Sequence, residues 1–257
     1  MRALFVKQDH ASPAGPVGEA FTDLGYDVSE FLVVPEERYH SPGVTVTFPD
    51  PARFDAVVAF GAVWAVYDDT IGSWIHDEIA FTRRAIAAGV PVLGICFGGQ
   101  MLASALGGRV LRASEPEVGW RRIETDRPGL IEPGPWLQWH YDRFELPDGV
   151  PAVARTPAAD QAFVVGRSLG LQFHPEVTPA TMELWLGNGG AAALAADGMD
   201  GARLLEESFA VAEAAATRAR TLVHRFIRDV AIRPQIMPPM TSQPEPPSGS
   251  QPRLPAS

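Results

Sequence analysis

One cysteine occurs in the whole chain, Cys96, and it stands in the run Gly94-Ile95-Cys96-Phe97-Gly98-Gly99-Gln100. A lone cysteine is most simply a small buried hydrophobe. This one follows an apolar, strand-like run (90–96) and precedes a helical pattern (98–106), so Gly-x-Cys-x-Gly falls on a strand-to-helix turn. That is the cysteine form of a nucleophile elbow. Such a turn forces the nucleophile into strained backbone geometry, and glycines at 94 and 98 remove side chains that would collide. The helix N-terminus behind it favours a thiolate. The N–H of Phe97 is then free to face a developing oxyanion.

A thiolate nucleophile needs a base, and the base needs an acceptor that orients it. Of six histidines, His10, His40 and His76 lie in polar or turn-rich surroundings and His224 on a C-terminal helical pattern, where a solvated role is simplest. His174 ends the apolar run 169–173 and is followed by Pro175-Glu176. Proline restricts the residue before it to extended geometry, which sets the direction of the imidazole. Glu176 can turn back to accept the imidazole N–H. Taken alone, His-Pro-Glu is an ordinary turn.

The elements that would position these groups alternate in the manner of a βα sheet. Strands are predicted at 3–6, 27–34, 56–60 and 90–96, with helices at 15–24, 74–88 and 98–106. Gly89 caps the second of these helices. From 109 to 173 the pattern becomes strands separated by Pro/Gly/Asp turns, followed by a short helix (178–186) with Thr178-Pro179 at its start. The expected architecture is α/β: a flavodoxin-like three-layer sandwich with a mostly parallel central sheet and an added antiparallel strand region. In such sheets ligands sit beyond the carboxyl ends of the strands, where the elbow would hold Cys96. Residues 1–187 read as one domain, 188–201 as a Gly/Ala-rich loop, 202–232 as a C-terminal amphipathic helix, and 233–257 as a disordered tail with eight prolines.

Composition narrows the function. Net charge is −10 with a single lysine, Lys7, which argues against nucleic acid or an anionic membrane as partner. No apolar run reaches the roughly 18 residues a membrane span needs. The start of the chain is too short for a signal-peptide core, so a cytoplasmic protein is expected. With one lysine at position 7, no Gly-x-x-x-x-Gly-Lys-Ser/Thr phosphate loop can exist, and no residues show metal-ligand spacing. No cofactor or metal is expected.

The two runs 94–100 and 170–176 together resemble the class I (triad-type) glutamine amidotransferases, in particular free-standing members related to the amidotransferase domain of GMP synthase. Segments 54–69, 107–110, 119–120 and 139–142 stand as further landmarks in the family's order, and the resemblance covers about residues 1–187. It implies that Cys96 attacks the side-chain amide of glutamine to give a γ-glutamyl thioester and ammonia. His174 would shuttle the proton and Glu176 would orient it. It further implies that Gln100 and the backbone near Gly98 bind substrate, with His140, Tyr141 and Asp142 beside the pocket. Where the family carries Gly-Gly-Pro this chain has Gly61-Ala62-Val63, so the second oxyanion donor becomes the N–H of Ala62. Positive φ there would cost an alanine about 1 kcal/mol.

Three functions share these features. One is a glutaminase subunit delivering ammonia to a separate synthetase. Another is a γ-glutamyl hydrolase acting on γ-glutamyl conjugates through the same thioester. The third is a non-catalytic binding or regulatory protein that kept the fold. The motifs do not separate the first two, and oligomeric state is left open.

Overall fold

The structure, a computed structural model, describes residues 1–232. The first half alternates strand and helix: β1 (Arg2–Lys7), α1 (Gly15–Asp23), β2 (Asp27–Leu32), β3 (Ala56–Ala59), α2 (Gly72–Ala87), β4 (Val92–Ile95) and α3 (Phe97–Ala105). Then come β5 (Arg109–Arg121), β6 (Glu124–Thr125), β7 (Trp136–Glu145), β8 (Ala152–Arg155), β9 (Asp160–Val165) and β10 (Ser168–Leu171). The chain continues through α4 (Pro179–Trp185), α5 (Ala191–Ala196) and the long α6 (Gly201–Phe226).

Eight strands form one sheet in the order β2-β1-β3-β4-β10-β9-β8-β6. The five from β2 to β10 are parallel, and β9, β8 and β6 extend the sheet antiparallel. Strands β5 and β7 pair separately as an antiparallel ribbon. This is the expected mostly parallel sheet with added antiparallel strands.

Residue alternation builds the three layers, because successive side chains of a strand point to opposite faces. Ala3, Phe5, Ala56, Val58, Leu93 and Ile95 pack with Val17 and Phe21 of α1 and Val223 and Phe226 of α6. Their neighbours Leu4, Val6, Val57, Ala59 and Val92 pack on the other face with Trp74 and Phe81 of α2 and Met101 of α3. Sheet strands apolar at every position are what two covered faces require.

Two segments differ from the sequence reading. The stretch expected as a loop at 188–201 contains α5, since Ala191–Ala196 is nearly all alanine, the strongest helix former. The break lies just before it, at Asn188 and Gly189, where the glycine takes φ 98°. The C-terminal helix begins at an Asp200 cap whose Oδ1 accepts from the N–H groups of Ala202 (2.9 Å) and Arg203 (3.3 Å), and its regular part ends at Phe226 before a wider turn over Ile227–Ala231. The tail expected at 233–257 lies outside the described residues. No helix among the described residues is long and apolar enough to cross a membrane.

Candidate active site

Cys96 sits between β4 and α3, and it is the one non-glycine residue with positive φ among the described residues (φ 50°, ψ −107°). A non-glycine residue held in such a region costs on the order of 1–3 kcal/mol and persists only where its surroundings dictate it. The glycines around it allow the turn. A Cβ on Gly94 would lie 2.4 Å from the Gly98 carbonyl oxygen, on Gly98 2.1 Å from that of Ala59, and on Gly99 2.2 Å from that of Leu171. Those oxygens are main-chain atoms of neighbouring elements and cannot swing aside. The elbow is anchored by main-chain bonds from Cys96 N–H to Leu171 O (2.9 Å) and from Gly98 N–H to Phe60 O (3.1 Å).

The carboxyl ends of β3, β4 and β10 meet at this point. Beyond β10 the chain bends at Gln172 and Phe173, and His174 pairs with β7 through an isolated bridge in which its N–H bonds Leu137 O at 2.9 Å. His174 Nδ1 then faces Glu176 Oε1 at 2.7 Å, with both side chains buried. The oxygen accepts, so Nδ1 carries the proton. Trp185 packs edge-on against the imidazole with centroids 4.9 Å apart, and its indole N–H is tied to Ala11 O at 2.7 Å. Gly61 lies where His174 and Cys96 come together, because a Cβ there would be 3.0 Å from His174 Cε1 and 3.8 Å from Cys96 Cβ.

Burial opposes charging the His174 ring. The charges of Cys96 and Glu176, together with the hydrogen bond to Glu176, outweigh that and hold its pKa well above the ordinary histidine value. Nε2 nevertheless has no acceptor in good hydrogen-bond geometry. The Cys96 contact in this resting arrangement is therefore one of charge and proximity, and the Nδ1–Glu176 bond is the formed one. Apo sites often hold such bonds loose until substrate binds.

A cavity of about 430 Å³ opens over the sulfur, which suits a small-molecule site. Cys96, Phe97, Gln100, His140, Tyr141, Asp142, His174 and Ala62 all line it. Gly98 does not line it, and its N–H is already committed to Phe60 O. Of the backbone near Gly98 expected at the substrate, Phe97 reaches the cavity wall, while Gly98 serves close packing on β3. Glu176 lies behind His174, away from the cavity wall, where an orienting carboxylate belongs. The N–H groups of Phe97 and Ala62 take no main-chain acceptor among the described residues. Ala62 does not adopt positive φ, so the strain anticipated from replacing glycine is absent.

The wall from β7 is cross-linked. Asp142 Oδ1 accepts from Tyr67 Oη at 2.7 Å, and Arg112 approaches the same oxygen at 3.8 Å. Tyr141 donates to Asp197 Oδ2 at 2.5 Å, beneath the Arg112 guanidinium 4.7 Å from its ring. Burial together with the Asp197 bond and charge pushes the Tyr141 phenol up to about 12. Opposite, Asp9 Oδ1 accepts from Ala11 N–H and Ser12 Oγ, both at 2.9 Å, and burial raises the Asp9 carboxyl despite those bonds. Trp64, which the sequence offered as shaping a pocket, lines the cavity, and Asp9, Ser12, Tyr39, Arg112 and Trp185 are cavity residues that sequence reasoning did not assign. Asp9 and Ser12 follow β1 at the same sheet edge as Cys96, and that placement alone could have nominated them. The others come together only through tertiary contacts.

Comparison with known proteins agrees with this geometry. The model of the family described as "Glutamine amidotransferase class-I" matches residues 38–188. GMP synthase [glutamine-hydrolyzing] of Aeropyrum pernix is 41% identical over 111 residues, which cover 40% of this chain and 21% of that protein. The protein of the same description from Staphylococcus saprophyticus is 36% identical over 114 residues, covering 40% and 22%. The chain thus spans about a fifth of the length of these relatives. Among solved structures, a glutamine amidotransferase from Thermotoga maritima superposes with a TM-score of 0.76 at 25% identity, covering 89% of this chain and 99% of that one. One from Methylobacillus flagellatus gives 0.75 at 22% identity, covering 89% and 95%, and supports the fold.

Proposed function

We propose, from the premise that this chain belongs to the class I glutamine amidotransferase family, that it hydrolyses the side-chain amide of glutamine through a thioester on Cys96. The observation that carries this reading is the 2.7 Å bond from His174 to Glu176, aimed at a cysteine held on a strained elbow above a cavity.

The thiolate sulfur of Cys96 attacks the amide carbon of glutamine. Negative charge moves to the carbonyl oxygen, which the N–H groups of Phe97 and Ala62 receive; removing one such donor commonly costs 10²–10³ in rate, as an order of magnitude. His174, protonated on both nitrogens and steadied by Glu176, gives its Nε2 proton to the leaving nitrogen. The C–N bond breaks, ammonia departs, and a γ-glutamyl thioester remains on Cys96. Neutral His174 then takes a proton from water, hydroxide adds to the thioester carbon, and collapse releases glutamate and the thiolate. Gln100, His140, Tyr141 and Asp142 bound the side of the cavity where the glutamine backbone would lie.

In this reading the ammonia passes to an acceptor enzyme. The GMP synthase relatives are about five times the length matched here, and the match reaches about a fifth of them. Incubating the purified protein with glutamine and with a series of γ-glutamyl dipeptides, following ammonia and glutamate, tests the assignment. Ammonia release from glutamine supports it. Hydrolysis confined to γ-glutamyl dipeptides would replace it with a stand-alone γ-glutamyl hydrolase using the same residues.

A further inference from the structure

Gln172 is fully buried at the bend that follows β10, and the Cys–His–Glu arrangement makes no use of it. We propose that Gln172 is a further catalytic residue whose side-chain amide donates a hydrogen bond to the Cys96 sulfur, its orientation dictated by a chain of buried polar groups. The proposal rests on Cys96 being the nucleophile.

The two ends of a glutamine amide are nearly the same in shape, so the surrounding donors and acceptors decide which end points where. The chain starts at the main-chain carbonyl of Asp142, which can only accept. Gln100 approaches that oxygen at 3.2 Å and must therefore offer its NH₂. The same nitrogen lies 3.3 Å from the Gln172 amide and directs its second N–H there. Gln172 must answer with its oxygen. Its NH₂ is then left on the other side, 3.8 Å from Cys96 Sγ, within the longer reach of sulfur.

The far end continues through His140. His140 Nδ1 also meets the Asp142 carbonyl oxygen, at 3.0 Å, and must carry a proton to do so. His140 Nε2 faces Glu117 Oε2 at 3.4 Å, and that oxygen accepts from Thr156 Oγ1 and Gln161 Nε2, each at 2.9 Å. Glu117, His140, Gln100 and Gln172 are all buried. Gln172 is fully buried and off the cavity wall, so water is poorly placed to reverse its amide. A donor locked toward the sulfur favours its anion in the resting state and again when the thioester breaks. Gln100, with both N–H groups engaged, has only its oxygen left to offer a cavity ligand.

Cys96 is the one cysteine, so its alkylation by iodoacetamide at a fixed near-neutral pH, followed by intact mass, reads the sulfur without any substrate. Gln172→Glu keeps the shape but turns an acceptor toward the sulfur, and should slow alkylation by about ten-fold or more. Gln172→Met, which offers neither donor nor charge, should slow it less. Gln100→Glu leaves the atoms around the sulfur in place but cannot donate to Asp142 or Gln172, and should slow it as well. In glutamine turnover the Gln172 loss should appear in kcat with KM little changed. Wild-type alkylation rates in a folded Gln172→Glu protein would overturn the proposal. Should that variant not fold, the wild-type protein still decides: the Gln172 side-chain amide signals in a ¹⁵N–¹H spectrum must shift when Cys96 is carbamidomethylated, and unmoved signals would refute the contact. A protein that shows these alkylation effects yet leaves glutamine untouched would refute the proposed substrate and spare the contact.

Discussion

Replacing Glu176 with glutamine separates orientation from charge. The amide retains an oxygen that can accept from His174 Nδ1, now 2.7 Å from Glu176 Oε1, and the packing volume barely changes. What disappears is a negative charge beside a ring that is imidazolium before it protonates the leaving amide nitrogen and becomes imidazolium again as it takes a proton from the attacking water. A hydrogen bond to a charged group contributes about 1.5–3 kcal/mol and a neutral one about 0.5–1.5. The difference of roughly 1–2 kcal/mol corresponds to about 5- to 30-fold in rate. Stability should respond little above the folded pKa of His174, because Glu176 Oε2 is buried without a partner and its charge is then poorly compensated. Below that the two proteins should diverge. His174 has its pKa raised in the fold, burial being outweighed by Cys96 and Glu176. Its contribution is therefore fully present below the unfolded value of about 6.5 and fades as pH rises through the folded value. The Glu176→Gln protein lacks part of that contribution, so the gap in unfolding free energy should widen from alkaline pH toward pH 6. Steady-state ammonia release and urea melts across that range measure both effects. Wild-type turnover in the variant would refute the orienting role. A joint collapse of turnover and stability at all pH values would show that Glu176 serves packing alone.

Three further outcomes follow from the same geometry. Gly98→Ala should lower stability by about 1–3 kcal/mol or more, as overpacking does, since its Cβ would fall 2.1 Å from the Ala59 carbonyl oxygen; turnover should be lost with the displaced Phe97 N–H, and a denaturant melt with an activity assay checks both. Ala62→Gly should leave kcat within about two-fold, because Ala62 already avoids positive φ and there is no left-handed strain of about 1 kcal/mol to relieve; a large gain in ammonia release would show that alanine had impaired the oxyanion site. Glu78 is fully buried with Gln8 Nε2 at 2.6 Å and one oxygen unpartnered, and burial pushes its carboxyl up to about 8. The folded state then holds a proton the unfolded chain has released, so stability should fall as pH rises from about 4.5 through 8. Glu78→Gln should remove that fall and raise the melting temperature at pH 9, and a variant melting below wild type there would contradict the assignment.

Much of this site was legible in the chain because its most telling parts are local. The elbow requires a buried strand, an unhindered turn and a helix within a dozen residues, and Gly94, Cys96 and Gly98 display all three. His174 and Glu176 are two residues apart, and the intervening proline fixes the extended geometry. The sheet was legible because a strand covered on both faces must be apolar throughout, as residues 56–59 and 92–95 are. What escaped depends on contacts distant in sequence. Trp185 reaches Ala11 across 174 positions, and Arg112 and Tyr67 converge on Asp142 from separate elements. Gln172 stood inside a recognised motif, yet an amide carries no titratable signature, and its role depends on which end Gln100 forces toward the sulfur. The helix at Ala191–Ala196 was obscured because the glycines of 187–190 suggested a loop that breaks sooner than expected.

The central claim is that Cys96 carries the γ-glutamyl group. Mixing the protein with excess glutamine, quenching in acid within a turnover and measuring intact mass should reveal a γ-glutamyl adduct that peptide mapping assigns to Cys96. Cys96→Ala should form no adduct and lose ammonia release by a factor on the order of a million. Glutamine turnover persisting in a folded Cys96→Ala protein would contradict the account.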